Sequence, residues 1–220
     1  MNKAVIFDLD GTLIDSLGDI HAALNDVLQF RNAPPLALAT VRGLIGKGSA
    51  NLVRRALTAQ NLAIDEASCA AALADFLRLY SAESAKLTTI FDGAIDALDR
   101  LRDGGFCLGI CTNKPLAPTK IVLDQFGLTR FFDTIVGGDQ LASRKPDPAM
   151  LFHAMACLGT TSCLFVGDSE IDRETAAAAG QPFALFTKGY RTSSIEILNP
   201  EYYFNEYSAL TNIVNLNIRN

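Results

Sequence analysis

The sequence predicts an α/β fold: a Rossmann-like parallel sheet with helices on both faces, interrupted by one inserted all-helical segment. Three observations carry this prediction. From Gly93 onward, short apolar runs of strand length alternate with helical stretches, the pattern of right-handed crossovers in a parallel sheet. Between Ser16 and Ala85 the alternation stops and the chain reads as helical throughout. Finally, four apolar runs lead into residues suited to an anion or a hard cation: Asp8 and Asp10, Thr112 and Asn113, Lys145, and Asp168. Ligands of open parallel sheets bind beyond the carboxyl ends of the strands, so these groups should meet in one place.

The first strand is Ala4-Val5-Ile6-Phe7, four apolar residues before Asp8-Leu9-Asp10-Gly11-Thr12. The insertion follows, with helices expected over 17–30, 37–44, 50–60 and 66–84, punctuated by Pro34-Pro35 and by Gly43, Gly46 and Gly48. No strand is expected within it. Alternation then resumes: helix 93–102, strand 107–111, helix 118–125, strand 134–136, helix 149–158, strand 163–166, helix 172–179 and strand 183–186. Gly104-Gly105, Gly127 and Gly180 stand where helix C-terminal caps are expected. A short strand at 202–204 and a helix near 207–214 close the chain. The expected organisation is thus a core of residues 1–15 and 86–220 and a helical cap of residues 16–85.

With 220 residues, 49% of them hydrophobic, the chain can fill one ordinary core and a smaller second module. A net charge of −5, with no basic run, argues against nucleic acid and an anionic membrane surface as partners. The N-terminal apolar run is too short for a signal peptide core or a membrane span, so a cytoplasmic location is expected. Either a monomer or a homodimer fits these properties. The five cysteines, Cys69, Cys107, Cys111, Cys157 and Cys163, form no Cys-x-x-Cys pair and have no histidines spaced for zinc, so reduced thiols are expected. Cys107, Cys111 and Cys163 lie in or beside expected strands, where a thiol behaves as a small hydrophobe.

Asp8 and Asp10 are two positions apart, a spacing that points both side chains to one side of an extended chain. Adding Asp168 and Asp172 would crowd three or four carboxylates together. Two unit charges 4 Å apart repel by about 4 kcal/mol at an effective dielectric of 20, so the cluster calls for positive charge. Mg²⁺ suits a site of few carboxylates, waters and a substrate phosphate, and Lys145 would add a permanent cation. A carboxylate can itself attack phosphorus, so the expected roles are Asp8 as nucleophile and Asp10 as general acid, then base. The Thr112 hydroxyl and nearby backbone amides would hold the phosphoryl oxygens. Each element alone has a plainer reading: a solvated Asp-x-Asp turn, a helix cap at Thr112 or Asn113, a surface lysine before Pro146, an Asp168 loop. Their recurrence at successive strand ends favours the joint site.

Asp8-Leu9-Asp10-Gly11-Thr12-Leu13, Thr112-Asn113-Lys114-Pro115, Lys145-Pro146-Asp147-Pro148 and Gly167-Asp168-Ser169-Glu170-Ile171-Asp172 together resemble the signature motifs of the haloacid dehalogenase superfamily. The resemblance spans nearly the whole chain and implies the roles above, with Asn113 beside Thr112 in substrate binding. It also implies Mg²⁺ held by Asp8, the backbone carbonyl of Asp10 and Asp168, with Asp172 acting through water or as support. An inserted helical cap after the first motif is likewise a family feature. Within the superfamily the chain looks most like phosphoglycolate phosphatases, through the 40–48 stretch, Val136-Gly137-Gly138-Asp139 and Lys145-Pro146-Asp147-Pro148. One departure is Glu170-Ile171 before Asp172, where that subgroup commonly carries a basic residue and Asn.

Selectivity is expected from the cap. Arg42 and Lys47 flank a glycine-rich turn, and an arginine fork would bind the carboxylate of a small substrate such as 2-phosphoglycolate; the alternative is a loop with two solvated cations. Arg54 and Arg55 are expected at the surface, and His21 and His153 in packing or surface roles. The leading expectation is a Mg²⁺-dependent phosphomonoesterase for a small phosphorylated metabolite. Another phosphatase or pyrophosphatase activity, or a phosphosugar mutase, would use the same core. Asp10 argues against a dehalogenase, and the intact acidic cluster against an inactive binding protein.

Overall fold

The computed structural model describes residues 3–83 and 85–219. Six parallel strands form the main sheet: β1 (Ala4–Phe7), β4 (Cys107–Cys111), β5 (Thr134–Val136), β6 (Leu164–Gly167), β7 (Phe183–Phe186) and β8 (Tyr202–Phe204), in the order β5-β4-β1-β6-β7-β8. The chain leaves β1 for β4 on one side and later returns to β6 on the other. β1 is therefore at the switch point of the strand order, where a crevice opens at the carboxyl ends.

Alternate residues of each strand feed two cores, as the pleat dictates. Val5, Phe7, Leu108, Ile110, Leu164 and Val166 face α5 (Ala94–Asp103), α6 (Leu116–Gln125) and α10 (Leu210–Arg219). Ile6, Cys111, Phe165 and Phe183 face α7 (Ala149–Cys157), α8 (Glu170–Ala178) and α9 (Ile195–Leu198). Cys111 and Cys163 are buried, and burial pushes both thiols up to about 12, so they pack as hydrophobes. Cys69 and Cys107 are half-buried and Cys157 exposed; all five are free.

Between β2 (Ile14–Asp15) and β3 (Thr89–Ile90) lie α1 (Leu17–Gln29), α2 (Leu38–Arg42), α3 (Ser49–Ala59) and α4 (Glu66–Glu83). These helices pack around an apolar cluster of their own that includes Leu24, Leu28, Val53, Leu57 and Phe76. No strand occurs among the described residues of 16–85. The sequence did not mark β2 and β3, which pair antiparallel over two residues each and form a stem where the chain leaves and re-enters the core. Buried Asp19 reinforces the stem: its carboxylate accepts from the Leu87 N–H at 3.0 Å, the Thr88 N–H at 2.9 Å and the Thr88 hydroxyl at 2.6 Å.

The starts of α6 and α8 each fall two residues before the sequence expectation. α6 begins at Leu116 because Pro118 falls in its first turn, where a missing N–H costs nothing. α8 begins at Glu170 because Ser169 caps it. The expected end of the fourth inserted helix, Ser84, lies outside the described residues. Among the described residues no helix is long and apolar enough to cross a membrane.

Candidate active site

Three neighbouring strand ends deliver the site. β1 leads directly into Asp8, β4 into Thr112 and β6 into Asp168, and the loop beyond β5 brings Lys145 alongside. Gly138 makes this approach possible. It donates its N–H to the Lys114 carbonyl at 2.8 Å, and a Cβ there would overlap the Asn113 backbone.

Asp8 is buried, with Oδ1 accepting from Lys145 Nζ at 2.8 Å. Its Oδ2 accepts no hydrogen bond from the described residues. The Lys145 ammonium also donates to Asp172 Oδ1 at 2.6 Å. Burial pushes Asp8 up to about 6, against the pull of Lys145 and with the push of Asp172. Burial alone would favour neutral Lys145, but Asp172 and Asp8 outweigh it and hold the ammonium charged.

Asp172 is fixed by the start of α8. Its Oδ2 accepts from the Ser169 hydroxyl at 2.6 Å and the Ser169 N–H at 3.2 Å, while the Ser169 oxygen accepts from the Asp172 N–H at 3.4 Å. This is a reciprocal capping box. Asp168 accepts from Thr12 Oγ1 at 3.0 Å and the Tyr190 N–H at 2.5 Å. Gly11 leaves room for it, with φ at +90° and a notional Cβ only 2.5 Å from Asp168 Oδ2. Burial, then Asp172 and Asp8, raise the Asp168 carboxyl well above the usual range.

Oxygens of Asp8, Asp168 and Asp172 lie within 4.8 Å of one another. All three residues are buried, and among the described residues Lys145 is the one cation bonded to them. Hard oxygen donors and excess negative charge fit a divalent hard cation.

Asp10 is held differently. Its Oδ1 accepts from the Ser16 hydroxyl at 2.6 Å and from Lys114 Nζ at 2.9 Å, with Oδ2 3.2 Å from the same ammonium. Lys114 also donates to the Tyr80 hydroxyl of α4 at 2.5 Å. Thr112 is buried; its Oγ1 accepts from the Lys114 N–H at 3.2 Å, leaving the hydroxyl hydrogen without an acceptor among the described residues.

Two side chains expected to bind substrate are engaged within the protein itself, although Asn113 does line the cavity. Both N–H groups of the Asn113 amide are engaged, with the carbonyls of Gly46 and Lys145 at 2.9 Å each, and its Oδ1 accepts from the Lys145 N–H at 3.0 Å. Asn113 therefore ties the 46 turn and the Lys145 loop together and has no side-chain donor left for substrate. Arg42 does not line the cavity over Asp8. It is exposed, donates to the Gly189 carbonyl and lies 5.9 Å from the centre of the Tyr190 ring, bridging α2 to the core. Lys47, Arg54 and Arg55 are exposed. His21 packs locally, its Nε2 2.9 Å from the Leu36 carbonyl oxygen.

The cavity measures about 80 Å³, room for roughly half a dozen waters at ~10–15 Å³ each. Asp8, Asp10, Thr112, Lys145, Asp168 and Asp172 line one side. Ile20, Ile45, Leu52, Phe76, Leu77 and Tyr80, from the segment between β2 and β3, line another. Sequence reasoning missed Lys114, Tyr80 and Tyr190 as cavity residues. Lys114 carried a local signal, adjacent to Thr112-Asn113, whereas Tyr80 and Tyr190 carried none. The Tyr190 hydroxyl accepts from the Ser16 and Leu17 N–H groups and donates to Asp15 Oδ1, tying the loop after β7 to the stem.

Known proteins resemble this chain in sequence and in fold. Residues 5–186 match the family model described as haloacid dehalogenase-like hydrolase. The chain is 43% identical over 210 residues, 96% of each chain, to a phosphoglycolate phosphatase of Cereibacter sphaeroides. It is 42% identical over 214 residues, 97% of each chain, to one of Rhodobacter capsulatus. Its structure superposes with TM-score 0.89 and 28% identity, over 96% of this chain and 97% of the other, on a protein described as a predicted phosphoglycolate phosphatase from Haemophilus somnus 129PT. With the sheet order, the four strand-end motifs and both full-length relatives in agreement, the chain belongs to the haloacid dehalogenase-like hydrolase family.

Proposed function

We propose that the protein is a Mg²⁺-dependent phosphomonoesterase that works through an aspartyl phosphate, with 2-phosphoglycolate as substrate. One observation carries the reading: Asp8 has one oxygen on Lys145 and the other unbonded, beside two further buried carboxylates and a free Thr112 hydroxyl. The full-length relatives named phosphoglycolate phosphatase support the substrate class, and the small cavity suits a short ester.

In this reading Asp8 Oδ2 attacks phosphorus as the ester P–O bond breaks, and the Asp10 carboxyl gives its proton to the departing oxygen. Asp10, now a carboxylate, takes a proton from water, whose oxygen forms a bond to phosphorus as the Asp8–phosphorus bond breaks. Phosphate leaves and Asp8 is restored. The Thr112 hydroxyl and Lys145 hold the phosphoryl oxygens, and Asn113 sets the Lys145 loop. Asp8, the Asp10 carbonyl and Asp168 would hold Mg²⁺, supported by Asp172. The ion would supply Lewis acidity toward the phosphoryl oxygens.

We further propose that residues 16–85 act as a cap on a core of residues 1–15 and 86–220, hinged at the β2–β3 stem, so that substrate enters and water is then excluded. A cytoplasmic location agrees with the five free cysteines.

Phosphate release from a panel of monoesters, with Mg²⁺ and with chelator, tests the reading. Wild-type protein is expected to release phosphate from 2-phosphoglycolate only with the metal, and Asp8→Asn to lose at least about a thousandfold in kcat. Undiminished turnover in Asp8→Asn would rule out the covalent route.

A further inference from the structure

The phosphate-binding residues leave one part of the cavity without a role. Lys114 is the second buried cation lining the cavity; its ammonium is bonded to Asp10, whereas that of Lys145 is engaged by Asp8 and Asp172. Its ammonium lies 4.4 Å from the centre of the Tyr80 ring and donates to the Tyr80 hydroxyl. That hydroxyl accepts from Lys114, yet its own hydrogen has no acceptor among the described residues. Tyr80 is 4% exposed. A buried O–H donor facing a cavity is satisfied by water there or by a ligand acceptor that takes the water's place. The rest of the lining from residues 16–85 carries no charge: Ile20, Ile45, Leu52, Phe76 and Leu77 are apolar, and Ser49 adds a hydroxyl beside Gly46 and Gly48.

Resting on the phosphatase reading above, we infer that Lys114 and Tyr80 form a subsite that recognises a carboxylate on the leaving group of the ester. The carboxylate would accept from the Tyr80 hydroxyl and from the Lys114 ammonium, displacing the longer contact of that ammonium to Asp10 Oδ2 at 3.2 Å. The contact to Asp10 Oδ1 at 2.9 Å and the Ser16 bond keep Asp10 in place. Lys114 follows β4 and Tyr80 belongs to α4, so the subsite is complete only when the inserted helices meet the sheet end. Selection for the acid thus falls to this pair, whereas Arg42 is engaged with Gly189 outside the cavity.

The test compares kcat/KM of the full chain, with Mg²⁺, for 2-phosphoglycolate and for 2-hydroxyethyl phosphate, which replaces the carboxylate by a neutral alcohol. Wild-type protein should prefer the acid by at least about tenfold, the worth of one hydrogen bond to a charged group. Tyr80→Phe keeps the ring and should cut that preference several-fold, chiefly through KM; Lys114→Met should abolish it. Equal losses on both esters would overturn the subsite, because they would mean that the pair serves Asp10 alone. A wild-type protein that hydrolyses both esters equally well would also overturn it while leaving the phosphatase reading intact. Release from neither ester would bring down the phosphatase reading first and this inference with it. If Lys114→Met fails to fold by circular dichroism, the Tyr80→Phe ratio alone decides.

Discussion

Glu170 shows how a single residue can mislead by its position in a motif. It follows Asp168 and Ser169, and the sequence leaves two readings open for it: negative charge near the site, or a side chain that only faces solvent. In the structure it faces away from the cavity and clamps a loop. Its Oε1 accepts from the N–H groups of Thr192 and Ser193 at 2.9 and 2.6 Å and from the Thr192 hydroxyl at 3.0 Å. Burial opposes ionisation, but these hydrogen bonds prevail and hold the carboxyl down to about 2. The folded value lies below the unfolded one, so this stabilisation is present above pH ~4.5 and is lost as pH falls from there toward 2. Glu170→Gln should therefore lower stability to urea at pH 7 by about 1 kcal/mol. The gap from wild type should close as pH drops below 4.5, and a gap independent of pH would contradict this account. Turnover should be unchanged, because Glu170 does not line the cavity.

Among the elements, α8 connects helix capping most directly to chemistry. Ser169 satisfies orphan donors at its N-terminus and at the same time orients Asp172 toward Lys145. Ser169→Ala should cost about 1 kcal/mol, a fall of about 2–4 °C in melting temperature for a chain of this size. It should also lower kcat, since Asp172 loses its shortest fixed donor. Ser169→Thr should recover most of both effects. An unaltered melting temperature in the alanine variant would show that the box does not stabilise the helix. The sequence placed this helix two residues late because the Ser-x-x-Asp cap was read as part of the motif, not as a helix start.

For the whole molecule, the sheet end gathers more negative charge than its own residues balance, so a bound divalent cation should stabilise the native state. At a concentration of 100 Kd, Mg²⁺ should add about 2.7 kcal/mol to the metal-free protein, visible as a rise of several degrees in melting temperature. Asp168→Asn should abolish most of that rise. A wild-type protein whose melting is unaffected by Mg²⁺ or by chelator would show that the three carboxylates hold no ion. The inserted helices complete the enclosure, covering an otherwise open crevice with apolar side chains and Tyr80.

The strand-end motifs and the alternation of strand and helix were legible in the sequence because both are local. Apolar runs of four or five residues set the strands, and parallel crossovers bring their carboxyl ends together whatever the loops do. Asp8, Thr112, Lys145 and Asp168 could be named on that basis. What the tertiary structure alone decided was which polar groups remain available once folded. Asn113 is engaged by the carbonyls of Gly46 and Lys145, and Arg42 by Gly189, while Lys114 and Tyr80 reach the cavity. The reason is physical: a donor pairs with an acceptor close to it in space, not in sequence, and those acceptors lie 67, 32 and 147 residues away along the chain.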